Sequence, residues 1–230
     1  MTAGGRRVRF GFPAPLFPDG VEPGTNILVT GPADSGAREV ALRLTQPEPY
    51  RNEARLLVSA DVRGRHLLDR ATEVSDGIDP ERVGVVDCSG STDEDHRFEA
   101  AGDHIDGPGD LMAIEMAVAT LYETLRAKGF ERVRFGVFSV SAMLAHADLR
   151  TVSRFIHMLT GRIIATGDLG VLHVDSSLDG DVAIDVIDRL CERTVEVRRA
   201  DGDVELREAG FREGVGEWRP LDPLAAGRGS

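Results

Sequence analysis

The fold class is decided by the stretch NILVTGPADSGAREVALRL, residues 26–44. Its first part, Asn26–Thr30, is short and apolar, as is typical of a buried strand. Its last part, Ala37–Leu44, has the spacing of a helix, and a turn with two glycines separates the two. A strand followed directly by a helix is the unit of parallel sheets covered on both faces, so this stretch predicts an α/β fold.

The alternation continues on the carboxyl side of this stretch. Further strands are predicted at Leu56–Ser59, Val83–Asp87, Val133–Val140 and Leu169–Val174, and helices at Arg65–Ala71, Leu111–Ala127, Val152–Ile163 and Val182–Leu190. Thr194–Arg198 and Val204–Glu208 alternate in polarity around an Asp-Gly pair, which predicts a β-hairpin. We therefore expect a mostly parallel β-sheet flanked by helices on both faces, closed by a C-terminal antiparallel hairpin.

Length and composition indicate one domain, because 230 residues suit a single α/β core. Residues 1–24 are predicted to be an irregular lead-in, 25–219 the domain and 220–230 a flexible tail. Residues 89–110 are acidic and rich in glycine, which predicts a surface loop. The acids and imidazoles of this loop match no calcium or zinc spacing, so we expect no metal site in Asp93–His96, Asp103 and His104.

The chain is strongly acidic, with 39 Asp and Glu against 27 Lys and Arg and a formal net charge of −12. Binding of nucleic acid is therefore not expected, since it requires a basic surface. Lys128 is the single lysine, and the arginine-rich, aspartate-rich balance fits either a salt-rich cytoplasm or a GC-rich genome. Two distant cysteines, no apolar run of 18 residues and no signal-peptide pattern predict a cytoplasmic protein without a membrane span.

The turn after the first strand matches a phosphate-binding loop in part. That motif reads G-x-x-x-x-G-K-[ST] between a strand and a helix. Here both glycines are present, but Ala37 replaces the lysine and Arg38 replaces the hydroxyl residue. The charge on the terminal phosphates and the Mg²⁺ ligand are thus both lost, although Arg38 could reach back toward a phosphate. We interpret the loop as a vestigial nucleotide site with no cofactor or weakly bound ATP or ADP, formed by Gly31, Pro32, Ala33, Asp34, Ser35, Gly36, Ala37 and Arg38. The alternative is a strand-to-helix turn that merely needs its glycines.

The chain resembles a known family, the KaiC and RadA/RecA-type ATPases. The resemblance rests on the stretches PDGVEPGTNILVTGPADSG, LLVSADVRGRHLL, RFGVFSVSAMLAHADLRTVSRFIHMLTGRI and LGVLHVDSSLDGDVAIDVIDRLCERTVEVRRADGDVELREAGFR. Together they span most of residues 16–219 in the family's order. The phrases PGDLMAIEMAV and RFIHMLTGRI are similar to a subgroup of small KaiC-like proteins of halophilic archaea, which commonly have eroded nucleotide sites.

The resemblance assigns two further positions. The family's metal-associated aspartate falls at Phe138, which cannot hold a hydrated metal. The family's two adjacent acids after the second strand fall at Asp61 and Val62, so one carboxylate of the pair remains. Asp61 is either this residual acidic position or a residue that caps the following helix, and we favour the cap.

Three functional hypotheses follow from the residues and the resemblance. The first is a non-catalytic KaiC/RecA-like regulatory or scaffold protein that acts in signalling through a protein partner or self-association. The second is a nucleotide-binding switch or a very weak ATPase. The third is a recombinase-like accessory protein for single-stranded DNA, which the net charge of −12 disfavours. The losses at Ala37, Arg38 and Phe138 favour the absence of catalysis, and no catalytic residue is assigned.

Overall fold

The structure of the protein is a computed structural model that describes residues 9–12, 16–48, 51–75, 79–89, 99–101, 105–210 and 214–221. The strands are β1 (Asn26–Gly31), β2 (Glu53–Ser59), β3 (Val83–Asp87), β4 (Glu99–Ala101), β5 (Arg132–Phe138), β6 (Leu169–Asp175), β7 (Arg193–Ala200), β8 (Asp203–Gly210), β9 (Gly214–Val215) and β10 (Arg219–Pro220). The helices are α1 (Ala37–Leu44), α2 (Gly64–Glu73), α3 (Leu111–Ala127), α4 (Val140–His146), α5 (Leu149–Thr166) and α6 (Asp181–Asp188).

The strands form one sheet in the order β10-β8-β7-β1-β6-β5-β2-β3-β4, and β9 pairs with β8. All pairings from β7 to β4 are parallel, whereas β8 pairs antiparallel with β7, β9 and β10. The predicted α/β fold with a closing hairpin is therefore confirmed. Asp201 and Gly202 both have positive φ (51° and 94°), as a two-residue hairpin turn requires.

Helices cover both faces of the sheet because the side chains of each strand alternate between two cores. In β1, Leu28 faces the core formed with α3, α4, α5 and α6, whereas Ile27 and Val29 face the core formed with α1 and α2. β1 is fully buried and lies between β6 and β7, so its carboxyl end opens near the middle of the molecule. Among the described residues, no helix is long and apolar enough to cross a membrane.

The amino-terminal lead-in packs into the α1–α2 core through Phe10, Leu16, Phe17 and Val21. Arg134 holds it there, since its Nη2 donates to the Gly11 carbonyl at 3.0 Å and its Nε donates to Glu53 at 2.8 Å. Both side chains of the Arg134–Glu53 pair are fully buried. An internal charge pair therefore fastens this segment to the amino ends of the strands.

Two predicted elements differ from the structure. The strand expected at Val133–Val140 ends at Phe138, and helix α4 begins at Val140. The stretch 89–110 is not only a loop, because β4 within it adds a parallel strand beside β3. The candidate metal residues Asp93–His96, Asp103 and His104 lie outside the described residues.

Candidate functional site

The two glycines of the β1–α1 turn are required by packing. Gly36 has φ of 90° and precedes the first residue of α1, and a Cβ there would lie 3.1 Å from Cγ2 of Val204. A Cβ on Gly31 would lie 2.3 Å from the carbonyl oxygen of Val197. Both neighbours belong to the β7–β8 hairpin. Packing against the hairpin therefore requires glycines at these two positions whether or not a phosphate binds.

Several polar groups of the turn are engaged within the protein. The buried Ser35 accepts a hydrogen bond from the Ala37 amide at 3.2 Å through its Oγ, and its own amide donates to the Pro32 carbonyl at 2.9 Å. Backbone amides at the start of a helix are the groups that would cradle a phosphate. The Ala37 amide is therefore already satisfied by a side chain of the same turn.

The hairpin and the segment after β6 hold the turn from outside. Arg199 Nε of β7 donates to the Asp34 carbonyl at 3.1 Å, and the Ser176 amide donates to the Gly31 carbonyl at 3.1 Å. The Arg199 bond and the closeness of Val204 to Gly36 place the hairpin against the turn. The β7–β8 hairpin is thus a structural part of the site.

Arg38 and Asp61 form a bidentate ion pair. Nη1 of Arg38 donates to Oδ1 of Asp61 at 3.0 Å, and Nη2 donates to Oδ2. The two side chains are only 20% and 28% exposed. In the sheet, β6 and β5 lie between β1 and β2, so this pair spans the carboxyl ends of two strands. The guanidinium that could replace the lysine is neutralised by the remaining carboxylate.

The position of Asp61 follows from the path of the chain after β2. Ser59 Oγ donates to the Val62 carbonyl at 2.7 Å, which turns the segment back above the sheet. The amino terminus of α2 is bonded by Asp87 instead, whose Oδ2 accepts from the Gly64 amide at 2.7 Å. The helix-capping role favoured for Asp61 therefore belongs to Asp87.

His173 lies in the middle of β6 and is 4% exposed. Its ring stacks on Phe138 with centroids 6.1 Å apart. Burial and the nearby Arg38 charge lower the pKa of His173 to about 4, although Asp61, Asp175 and Glu39 oppose the shift. Its Nδ1 has no hydrogen-bond partner among the described residues. This imidazole is therefore neutral at neutral pH.

Phe138 ends β5 at the position that the resemblance assigns to a metal-associated acid. Its side chain is fully buried in the α1–α2 core, and the peptide bond to Ser139 is cis. The neighbouring Asp175 is held in a turn, because its Oδ1 accepts from the Ser177 amide and hydroxyl at 2.9 and 2.5 Å. Within the described part of the chain, no three His, Cys, Asp or Glu residues are grouped as metal ligands.

Sequence reasoning named Arg38, Asp61 and Phe138 but missed two members of the site. His173 was a readable signal, since it is a polar residue inside the apolar run of β6, LGVLHVD. Arg199 carried no such signal, because exposed arginines are frequent throughout the chain. Its role depends on how the hairpin lies against the turn.

Comparisons with known proteins agree with this architecture. The model of a family of unknown function, DUF7504, matches residues 24–197. Among solved structures, the KaiC-like protein PH0186 of the hyperthermophilic archaeon Pyrococcus horikoshii OT3 is similar, with a TM-score of 0.61 and 15% identity over 94% of both chains. A search of curated proteins found no match. At this identity the structural similarity shows a KaiC/RecA-like fold.

Proposed function

This chain belongs to the DUF7504 family of unknown function, and we propose that it is a KaiC/RecA-like regulatory or scaffold protein that does not hydrolyse ATP. The observation that carries the proposal is the bidentate Arg38–Asp61 pair. Phosphoryl transfer requires positive charge on the terminal phosphates and a metal ion that bridges them. In this chain the guanidinium of Arg38, at the motif's hydroxyl position, is already paired with a carboxylate.

Three further features support the absence of hydrolysis. Ala37 has no charge to offer a phosphate, and Phe138 offers no oxygen to a metal-bound water. The Ala37 amide is bonded to Ser35 Oγ. Such a domain keeps its rigid sheet as a platform, and we propose that it acts through protein contacts in signalling, in the cytoplasm of a halophilic archaeon.

A nucleotide-binding switch is the second candidate. The observation that favours it is that Arg38 lies in the first turn of α1 and that, within the described part of the chain, its guanidinium hydrogen-bonds to Asp61 alone. A phosphate would compete with one carboxylate for the guanidinium, and its binding would release Asp61. In this case nucleotide and the Arg38–Asp61 pair are mutually exclusive.

Calorimetric titration with ATP and ADP, at high KCl and with or without Mg²⁺, tests the proposal. We expect no saturable heat from the native chain up to about 1 mM nucleotide. Asp61→Asn frees Arg38, and Ala37→Lys/Arg38→Thr restores the motif, so both variants are expected to bind more tightly than the native chain. Asp69→Asn, an exposed acid on α2, is the matched control and should change nothing.

The outcomes separate the candidates. Micromolar binding by the native chain that Asp61→Asn strengthens would favour the switch. Micromolar binding that Asp61→Asn leaves unchanged would show that the pair does not block the site and would favour a conventional site. Release of phosphate from ATP by the native chain would overturn the proposal outright. Because Phe138 is unchanged in every variant, restored binding should still come without turnover.

A further inference from the structure

Helices α3 and α5 form an outer face with exposed methionines, which we call the α3–α5 face. Met112 and Met116 of α3 are 76% and 67% exposed, and Met158 of α5 is 44% exposed. These are three of the five methionines in the chain. Methionine is flexible and polarizable, and it is used repeatedly at protein-binding surfaces. The face lies on the side of the sheet opposite α1 and the β1–α1 turn.

The two helices run side by side in the same direction. Near their starts, a Cβ on Gly109 would lie 3.1 Å from Cβ of His146, the last residue of α4. Further along, Arg162 of α5 pairs with Glu123 of α3 at 3.6 Å and lies 4.6 Å from the centroid of the Tyr122 ring. These contacts show how the two helices are aligned: Glu123 of α3 and Arg162 of α5 lie at the same height along the helix pair.

The same pair of charges recurs eight residues earlier as Glu115 and Arg154. Both residues are exposed, and neither forms an ion pair within the part of the chain that the structure describes. Eight residues correspond to about 12 Å along each helix, so we infer that the two residues lie at about the same height, with Glu115 near Met112 and Met116 on α3. The α3–α5 face therefore has an apolar stripe, an unpaired acid on one helix and an unpaired base on the other.

We propose that the α3–α5 face binds a second copy of this chain. A two-fold axis parallel to the helices places α3 of one subunit over α5 of the other. Glu115 then lies opposite Arg154 of the partner subunit, and the reverse contact follows by symmetry. A two-fold interface needs a self-complementary patch, and an acid and a base on the same face meet that condition.

The paired charges of the face favour this occupant over a foreign acidic segment. An acidic helix would be attracted to Arg154 but repelled by Glu115. The self-complementary pairing satisfies both side chains at once. This inference is independent of the nucleotide state, because the face and the β1–α1 turn lie on opposite sides of the sheet.

The size of the face predicts a weak dimer. Helices of 17 and 18 residues are about 25 Å long, and two adjacent helices are about 20 Å wide. The contact is thus about 500 Å² per subunit, at the lower end of specific interfaces. Dissociation constants in the micromolar range are expected, so the dimer must be sought across concentrations.

Sedimentation equilibrium between about 1 and 500 μM tests the proposal on the full chain. We expect a reversible monomer–dimer equilibrium that Met112→Asp/Met116→Asp abolishes. Arg154→Glu should weaken the dimer at least tenfold, and Glu115→Arg/Arg154→Glu should restore it. All these side chains are exposed, and circular dichroism verifies that each variant is folded.

Leu178→Asp is the matched control, since Leu178 is 74% exposed after β6, at the carboxyl edge of the sheet. It should leave the dimer unchanged. A chain that is monomeric at every concentration would overturn the proposal. So would a dimer that Leu178→Asp dissociates, or a charge-exchanged double variant that fails to recover.

Discussion

Gly36 illustrates how one residue can satisfy both the fold and a ligand motif. Its φ of 90° lies in the left-handed region, and Val204 leaves little space for a Cβ. Both facts require glycine here without any phosphate. A motif match at such a position is therefore weak support for a ligand, and the side chains around it decide the chemistry.

We predict that Gly36→Ala lowers the free energy of unfolding by about 1–2 kcal/mol, because alanine is strained at positive φ. Urea denaturation measures the change. Gly161→Ala is the control, since Gly161 lies within α5 and a Cβ there meets nothing within 4 Å. That variant should gain about 0.5–1 kcal/mol from helix propensity. Equal effects at the two glycines would contradict the strain argument.

His173 makes stability depend on pH. Its pKa of about 4 in the folded chain lies below the ordinary value of about 6.5 expected after unfolding. Between these values the unfolded chain binds a proton at this imidazole that the folded chain does not. Stability therefore falls as the pH falls from 6.5 to 4, by ~3 kcal/mol from this residue.

Replacing His173 tests this pH dependence. In His173→Phe, the loss of stability between pH 6.5 and 4 should be smaller than in the native chain by that amount. Urea denaturation at a series of pH values measures it, and His66→Asn, at an exposed histidine of α2, is the control. Parallel curves for the native chain and His173→Phe would show that His173 is not the group responsible.

At the scale of elements, periodicity predicted most helices and strands, and three of them to the residue: α1, β3 and α3. It missed α4 because the strand before it runs directly into an apolar helix, so that 133–143 reads as one buried run. It also missed β4, which is short and lies in an acidic stretch. Local patterns do not distinguish such cases, because pairing with a neighbouring strand decides them.

Individual residues of the candidate site could be predicted from the sequence, but the contacts between them could not. Arg38 and Asp61 could each be named from the motif positions, but their pairing depends on the strand order β1-β6-β5-β2. The order of strands is a tertiary property with no short-range signal. The contact of Arg199 with Asp34 spans 165 residues and is equally invisible to local patterns.

The buried Arg134 is predicted to be strongly sensitive to substitution. Arg134→Met removes its bonds to Glu53 and to the Gly11 carbonyl and leaves a buried carboxylate with less compensation. We expect a loss of about 3–5 kcal/mol in the free energy of unfolding, measured with urea. Arg134→Met/Glu53→Gln should recover part of it, because the uncompensated charge is gone.

An exposed arginine provides the comparison for Arg134. Arg65→Ala, on the exposed side of α2, should change the free energy of unfolding by no more than about 0.5 kcal/mol. If Arg134→Met were as mild as Arg65→Ala, the Arg134–Glu53 pair would not fasten the amino-terminal segment. If the double variant were no more stable than Arg134→Met, lost packing rather than an unpaired charge would be the cause.

At the scale of the whole molecule, charge is the dominant property. The chain has an excess of twelve acids over bases, which oppose one another across the surface of the folded state. The described ion pairs involve arginine almost throughout, as at Arg198–Glu205 and Arg207–Glu196 on the hairpin. They offset the repulsion locally but leave the net charge unchanged.

We predict that the midpoint of thermal unfolding rises with KCl. The Debye length shortens from about 10 Å at 0.1 M to about 3 Å at 1 M, so repulsion between exposed carboxylates is screened within that range. Scanning calorimetry from low to molar KCl measures the rise. Asp69→Asn/Glu73→Gln/Asp185→Asn removes three exposed acids and should show a smaller rise, because less repulsion remains to be screened. A midpoint that is flat or falls with KCl would mean that the ion pairs, which salt weakens, outweigh the self-repulsion of the acidic surface.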